Sequence, residues 1–400
     1  MKTKCEVCEN PSLSKVLDLG NHPLCDDLVE IDDPRVCKEY PINILLCNQC
    51  HTALQSIDVD KEELFSQTYH YRSRFTADVV SGMVSLVSDI ENIVGSVRGM
   101  RVLDVGCNDG SLLDLFHSRG CETLGVEPTG AIADADKQKH QLFNDFFDLK
   151  TAHEIVNEHG IPDIITFTNV FAHIENLPSL LDALAVLIGD KTIVVIENHY
   201  LGSVLDKNQF DTFYHEHPRT YSLKSFLEIG KRLHCQIIGL EFPKRYGGNI
   251  RVSLSKNGKR KDEQNVDNLI RRTCEYEETF HVKFKDMVKF IDHWKKEKKS
   301  EILNLTHKFG KIPCKAFPGR AAILIKLLDL DETHISAVYE KPGSMKIGHV
   351  VPGTRIPILS DDELIEMNPQ VILNLAWHID ADIVSYLRNN NLTGQVISII

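Results

Sequence analysis

Phe213-Tyr214-His215-Glu216-His217-Pro218 concentrates two imidazoles, a carboxylate and a phenol in one short stretch. An imidazole titrates close to neutrality, so a positioned histidine can take a proton from a substrate and return it at physiological pH. The same residues allow a second chemistry. Alternate side chains of an extended segment point the same way, so His215 and His217 could share a metal, with Glu216 on the opposite side. A catalytic metal needs a third ligand. His215 could also be a structural histidine satisfied by backbone groups. The elements that carry this stretch decide among these roles.

Those elements begin with an alternation of strands and helices. Arg101-Val102-Leu103-Asp104-Val105 reads as a strand, Gly106-Cys107-Asn108-Asp109-Gly110 as a turn, Ser111 to Arg119 as a helix, and Thr123-Leu124-Gly125-Val126-Glu127 as the next strand. This is a Rossmann-like βαβ unit. Gly106 and Gly110 let the backbone turn sharply toward a ligand, and Glu127 at the second strand end can accept hydrogen bonds from ribose hydroxyls. With Asp104 before the turn and Asn108 in its middle, the arrangement resembles S-adenosylmethionine-dependent methyltransferases more than dinucleotide dehydrogenases. Asp163 to Thr168, ending at Asn169, and Thr192 to Ile196, ending at Glu197 and Asn198, continue the sheet toward the same crevice. A helix over 222–232, capped by Ser222, precedes a closing hairpin of 235–241 and 249–254 around Tyr246-Gly247-Gly248. The histidine-rich stretch therefore falls on a loop leaving the carboxyl edge of the sheet.

At the front stand Cys5-x-x-Cys8 and Cys47-x-x-Cys50, each able to present two thiolates from one tight turn. Four sulfurs close a tetrahedral zinc site and leave no open position, which makes such a site structural. The connection between the knuckles carries strand-like segments at 15–19 and 42–46. The other seven cysteines are scattered singly, and no disulfide framework is implied.

Bulk properties exclude several classes of function. The chain has 400 residues, enough for two or three domains, and 42% are hydrophobic, enough to fold them. Its formal charge of -12 repels a phosphate backbone, so no nucleic-acid partner is expected. No segment approaches the length of a membrane span, no membrane partner is expected, and a cytoplasmic location follows. From 258 to 308 the chain is highly charged. Phe280, Phe284, Val288, Ile291 and Trp294 nevertheless recur at helical spacing, predicting a connecting helix with one apolar face and a solvated Lys295-Lys296-Glu297-Lys298-Lys299 run. Apolar segments at 314–317, 334–339, 356–359, 371–376 and 396–400 predict a second α/β layer. Its turns, Gly319-Arg320, Lys341-Pro342-Gly343, Pro352-Gly353-Thr354 and Trp377-His378, suggest a phosphate- or sugar-facing edge or serve as ordinary turns.

Together, the paired cysteines, Val102 to Gly110, Phe213 to His217 and Val351-Pro352-Gly353-Thr354-Arg355-Ile356-Pro357 resemble the nucleotide-sugar C-methyltransferases of deoxysugar biosynthesis. The resemblance covers nearly the whole chain. It implies an α/β protein with a zinc-binding domain over 1–65, a Rossmann-like class I methyltransferase core over 66–257, and a connecting helix with a C-terminal Rossmann-like α/β domain over 258–400. It also implies S-adenosylmethionine as cofactor, a structural zinc ion, and a 4-keto-6-deoxy nucleotide sugar as substrate, methylated at C3 in deoxysugar or surface-polysaccharide biosynthesis. By the same resemblance His217 is the base, Tyr214 and Glu216 line the sugar site, and His173 and Tyr71 match further positions at the substrate. His173 could otherwise cap the helix after Asn169, and Tyr71 could be a core aromatic. Asp104, Gly106, Asn108, Asp109, Glu127 and Asn169 form the expected cofactor site. The expected assembly is a monomer or weak homo-oligomer. An O-methyltransferase acting on a sugar hydroxyl and a zinc-ribbon nucleic-acid protein are the rival readings; the acidic balance opposes the second.

Overall fold

The computed structural model describes residues 2–64, 72–75, 77–259 and 262–400. Tyr71 lies outside the described residues. The chain forms two compact units. One comprises Met1–Lys15, Leu45–Lys207 and Glu216–His281; the other comprises Val16–Ile44, Asn208–His215 and Val282–Ile400. The chain passes from one unit to the other within the strands Leu13–Pro23 and Glu39–Cys47, and again between His215 and Glu216.

The first unit is built on a seven-stranded sheet. Its strands are β1 (Arg101–Val105), β2 (Glu122–Val126), β3 (Gln141–Phe143), β4 (Ile164–Thr168), β5 (Ile193–His199), β6 (Gln236–Glu241) and β7 (Asn249–Ser255). The spatial order is β6-β7-β5-β4-β1-β2-β3, and only the β6 and β7 pairings are antiparallel. Apolar runs such as Ile193-Val194-Val195-Ile196 are buried on both faces, which is why these strands read as continuous hydrophobic stretches rather than alternating ones. Helix α1 (Ala77–Val94) lays Val79, Met83, Leu86, Val87 and Ile90, spaced three or four apart, against Val102, Ile164, Ile193 and Val195. Helix α2 (Ser111–Ser118) packs Leu112 and Phe116 into the same core. Chain order places β1 and β4 side by side with the connections leaving in opposite directions, so the crevice opens at their carboxyl ends.

The second unit holds a five-stranded parallel sheet: β8 (Ile312–Lys315), β9 (Ile335–Glu340), β10 (Ile358–Ser360), β11 (Val371–Asn374) and β12 (Gln395–Ser398), in spatial order β10-β9-β8-β11-β12. This is the second Rossmann-like layer expected from the sequence. Its switch point lies between β8 and β11, yet the edge there faces the chain itself. Arg320, in the turn after β8, sits 3.3 Å from Asp211 and donates to Thr212 Oγ1 at 3.0 Å, while Trp377 after β11 donates its indole N–H to Asp211 at 2.9 Å. The Arg320 guanidinium also lies 5.7 Å from the Trp377 ring centroid. A carboxylate of the protein thus occupies these turns, in place of the phosphate or sugar that Gly319-Arg320 and Trp377-His378 suggested.

The long helix Phe280–Phe309 forms as its periodicity requires, with one correction. Its buried stripe runs Phe280, Phe284, Met287, Ile291, Trp294, and Val288 stands 37% exposed. Spacing alone allowed either neighbour; the heptad step from 280 to 287 to 294 is the one that stays on a single face. The lysine run is not wholly solvated either. Lys298 donates to Ser398 O at 2.9 Å and Lys299 pairs with Asp329 at 2.8 Å.

One buried ion pair stands out in the second unit. Lys315 and Asp361, each 1% exposed, meet at 2.6 Å, with Tyr386 donating to the same carboxylate at 2.9 Å and Lys315 donating to Tyr339 O at 3.2 Å. Removing one partner strands the other charge, so Asp361→Ala is expected to cost about 3–5 kcal/mol. Chemical denaturation followed by fluorescence reads this directly; the double replacement Lys315→Met with Asp361→Leu should recover most of the loss.

Candidate active site and zinc clip

Each cysteine knuckle closes the same way. The residue after the second cysteine is left-handed, Glu9 at φ 60° and His51 at φ 54°, and its N–H returns to the first cysteine's carbonyl at 2.9 and 3.0 Å. Two equal turns thereby aim four sulfurs at one point. Cys5 and Cys50 Sγ lie 3.5 Å apart, as do Cys8 and Cys47, and all four sulfurs fall within 4.8 Å of one another. A tetrahedral zinc ion with Zn–S near 2.3 Å sets its sulfurs about 3.8 Å apart, so the residues present fit that ion. Among the described residues no two cysteines are joined by a disulfide.

At the crevice, Gly106 is left-handed at φ 74°, and a Cβ there would meet Val170 at 2.3 Å. Only glycine lets the β1 turn approach the loop after β4 this closely. Glu127, 6% exposed, accepts from Asn108 N at 3.1 Å on one oxygen and from Thr129 N at 2.9 Å on the other. Each carboxylate oxygen keeps a second lone pair, the acceptor capacity a ribose diol requires. Thr168 Oγ1 and both polar atoms of the Asn198 amide, at the carboxyl ends of β4 and β5, are buried with no partner among the described residues. Such groups are satisfied by ordered water or by a ligand.

The other expected cofactor residues act mainly as supports. Asp104, 3% exposed, takes the Thr166 hydroxyl at 2.7 Å, and burial pushes its carboxyl up to about 7. Asn108 Oδ1 accepts from Ser73 N at 3.0 Å, and Asp109 accepts from Arg74 N at 2.9 Å and Ser111 Oγ at 2.6 Å. Burial opposes ionisation of Asp109, but these donors outweigh it and hold its carboxyl below the usual range. Both side chains therefore bind residues 73–74 to the turn. Asn169, left-handed at φ 55°, accepts from Asn249 at 3.2 Å.

Sequence reasoning missed the anchor beneath Asn249. Glu197 is fully buried at the end of β5, where Arg245 reaches it at 2.5 Å, Arg251 at 2.7 Å and Asn249 at 2.8 Å. Arg251 also pairs with Asp89 of α1. The signal lay in two arginines, Arg245 and Arg251, that flank Asn249 in the closing hairpin. His199 was missed as well, although strand alternation puts it on the same side as Glu197.

Three imidazoles gather here. The His173 and His217 ring centroids lie 4.7 Å apart, and those of His199 and His217 lie 5.4 Å apart. His173 does not cap a helix: the next helix starts at Leu177 under an Asn176 cap. Instead its Nδ1 lies 2.7 Å from Glu216 O and donates to it. Burial drives its pKa down to about 4 against the opposing pull of the Glu216 and Asn169 carbonyls, so the ring is neutral at physiological pH. His217 is 5% exposed and Glu216 6% exposed. In the second unit, Tyr214 is half-buried and His215 donates Nε2 to Tyr40 O at 3.1 Å. His215 is thus held by backbone. Among the described residues, the four cysteines are the group whose ligand atoms converge as a metal requires.

Residues 76–239 match the family described as a methyltransferase domain, 5–65 a zinc binding domain, and 244–400 a C-methyltransferase C-terminal domain. The chain is also similar to C-methyltransferase NovU of Streptomyces niveus, 24% identical over 95% of this chain and 91% of that protein. The chain is an S-adenosylmethionine-dependent C-methyltransferase with an N-terminal zinc-binding domain. A shorter likeness links it to a ubiquinone biosynthesis O-methyltransferase of Acinetobacter baylyi, 27% identical over 30% of this chain and 49% of the other. A crystal structure of magnesium protoporphyrin IX methyltransferase from Synechocystis PCC 6803 with bound SAH aligns with TM-score 0.35 and 16% identity, covering 44% of this chain and 82% of that one. No helix of the described residues in this methyltransferase is long and apolar enough to cross a membrane.

Burial of its histidines gives the methyltransferase an acid-sensitive fold. His173 and His215 have folded values of about 4 against 6.5 in a free chain, because burial penalises the charged ring. Between those values the unfolded chain binds protons the folded one does not, so stability is full above about pH 6.5 and falls as pH drops toward 4. Thermal midpoints measured from pH 7.5 to 4.5 should decline, with a shallower slope in His215→Gln; a flat profile contradicts the burial argument.

Proposed function

We propose that the protein methylates a carbon beside the ketone of a nucleotide-linked sugar, C3 of a 4-keto-6-deoxyhexose, with His217 as the base that generates the enolate. The observation that carries the reading is the cluster of imidazoles: the His217 ring lies 4.7 Å from that of His173 and 5.4 Å from that of His199 at the end of β5. Carbon methylation needs a carbon nucleophile, hence removal of a proton next to a carbonyl, and histidine is matched to that step near neutral pH. S-adenosylmethionine supplies the electrophilic methyl group. Glu127 holds its ribose in this reading, and Asn169 and the β1 turn line its pocket.

The neutral state of His173 matters to this chemistry. A protonated neighbour at 4.7 Å would depress the basicity of His217, whereas a neutral ring, its one proton on Nδ1 toward Glu216 O, leaves it available. Glu216, which borders His217 in the chain, contacts the sugar in this reading. The sugar class itself rests on the likeness of the Phe213–His217 stretch and the paired cysteines to nucleotide-sugar C-methyltransferases.

Paired 4-keto and 4-hydroxy forms of one nucleotide sugar test the class of reaction. Turnover of the ketone alone supports carbon methylation of a sugar; turnover of the hydroxyl form would show oxygen methylation and end the enolate scheme. His217→Asn should abolish both turnover and solvent deuterium exchange at the reacting carbon while cofactor affinity stays within about twofold. Normal turnover would remove the base assignment. Glu127→Ala should weaken cofactor binding by about tenfold or more, the loss of hydrogen bonds to a charged acceptor, as read by calorimetric titration.

A further inference from the structure

Arg219 follows His217 by two residues and is fully buried. A guanidinium taken out of water must find an acceptor for its donors and a counter-charge, or it destabilises the fold by several kcal/mol. Arg219 finds these on three separate segments. Its Nε donates to Tyr221 Oη at 3.0 Å; its Nη1 donates to Glu175 O at 2.9 Å and to Glu6 Oε2 at 2.6 Å; its Nη2 donates to Ile174 O. Ile174 and Glu175 directly follow His173. Glu6 lies between Cys5 and Cys8, inside the first zinc knuckle.

The second knuckle is attached to the same stretch. The strand Ala53–Gln55, which begins three residues after Cys50, pairs antiparallel with Arg219–Thr220, in register Leu54 to Arg219 and Ala53 to Thr220. Gln55 N donates to Pro218 O at 2.9 Å, so the clip holds the carbonyl next to His217 itself. Beyond the strand, Ser222 Oγ donates to Cys50 O at 2.6 Å while capping the helix Leu223–Arg232, and Ser225 Oγ lies 2.7 Å from Thr52 Oγ1. Both knuckles therefore fasten the backbone from Pro218 to Ser225. Neither contact set is needed to hold four sulfurs together.

We infer that Arg219 is a positioning residue for the imidazole cluster, and that the four-cysteine clip serves the reaction by anchoring Arg219 through Glu6. One fork fixes the loop carrying His173 and the strand Arg219–Thr220 that follows His217, so the separation of the two rings depends on a planar group whose donors have a rigid geometry. Lysine has one ammonium and cannot span these acceptors. Glu6 is itself steadied by Lys2 at 2.9 Å, which in turn pairs with Asp58 at 2.7 Å. The clip is thus a reference frame for proton-handling groups as well as a fold element.

The inference rests on the reading of His217 as base only where turnover is the readout, so the test includes one that does not. In the full chain, Glu6→Ala and Arg219→Lys are compared with the parent for zinc content, cofactor affinity, kcat and KM on the 4-keto sugar, and the His173 imidazole signal by NMR. Expected are one zinc per chain and cofactor affinity within about twofold, with kcat lowered about ten- to hundredfold, more than KM rises, and a displaced His173 signal that titrates closer to 6.5. Glu6→Gln, which keeps an acceptor for Arg219, should recover part of both effects. Unchanged kcat and an unmoved His173 signal in Glu6→Ala overturn the inference. So does a fall in kcat that follows loss of zinc or of cofactor affinity, which would make Glu6 a part of the clip alone. If Arg219→Lys does not fold, Glu6→Ala and Glu6→Gln still decide. Activity in His217→Asn would retire the base reading while the His173 signal continued to test the anchor.

Discussion

A carboxylate with no exposure to water has to be neutralised where it lies, and Glu197 at the carboxyl end of β5 sets that condition for the first unit. Arg245 and Arg251 come to it from the closing hairpin, Asn249 divides its amide between Glu197 and Asn169, and Arg251 continues to Asp89 on α1. The sheet edge, helix α1 and the loop after β4 are thereby tied to one charge. Desolvation makes the arrangement strict: a carboxylate out of water is tolerated only with its counter-charges in place. At Gly82 a Cβ would fall 2.0 Å from the Arg245 guanidinium, so the helix yields its side chain to make room.

The same economy shapes the cofactor crevice. Residues chosen by sequence as ligand contacts, Asp104, Asn108 and Asp109, bond chiefly to the protein and give the β1 turn its rigidity. What faces outward is limited to the remaining acceptor capacity of Glu127, the backbone of a glycine-rich turn and the ends of β4 and β5. A site that must hold a sulfonium donor in line with a carbon nucleophile gains from such rigidity, because alignment supplies much of the rate. The imidazole cluster is likewise neutral by construction at His173, where burial outweighs two carbonyl acceptors.

The second unit repeats the α/β logic with a different outcome. Its parallel sheet has the strand order that places ligands at a switch point, yet Asp211 of the chain's own loop meets Arg320 and Trp377 there. Asp211 lies three residues before Tyr214, so the turns that would otherwise receive an anion hold the segment leading into the histidine-rich stretch. Fold likeness alone would have assigned this edge to a second ligand; the contacts assign it to the protein.

The sequence by itself determined whatever depends on local spacing. Two CxxC pairs fold into equal knuckles because each closes on its own backbone, the strands follow from continuous apolar runs, the helix after Ser222 from its cap, and the 280–294 stripe from a period of 3.6. The zinc clip and the order of the elements were legible for that reason, apart from the choice of Met287 over Val288. Tertiary structure decided what depends on partners distant in the chain. Arg219 takes its place only from Glu6, 213 positions away, and from the carbonyls after His173. His199 joined His217, and Asn108 and Asp109 gained partners at Ser73 and Arg74, for the same reason: a side chain's surroundings are set by what desolvates it and what pairs with it, and neither is recorded in its neighbours along the chain.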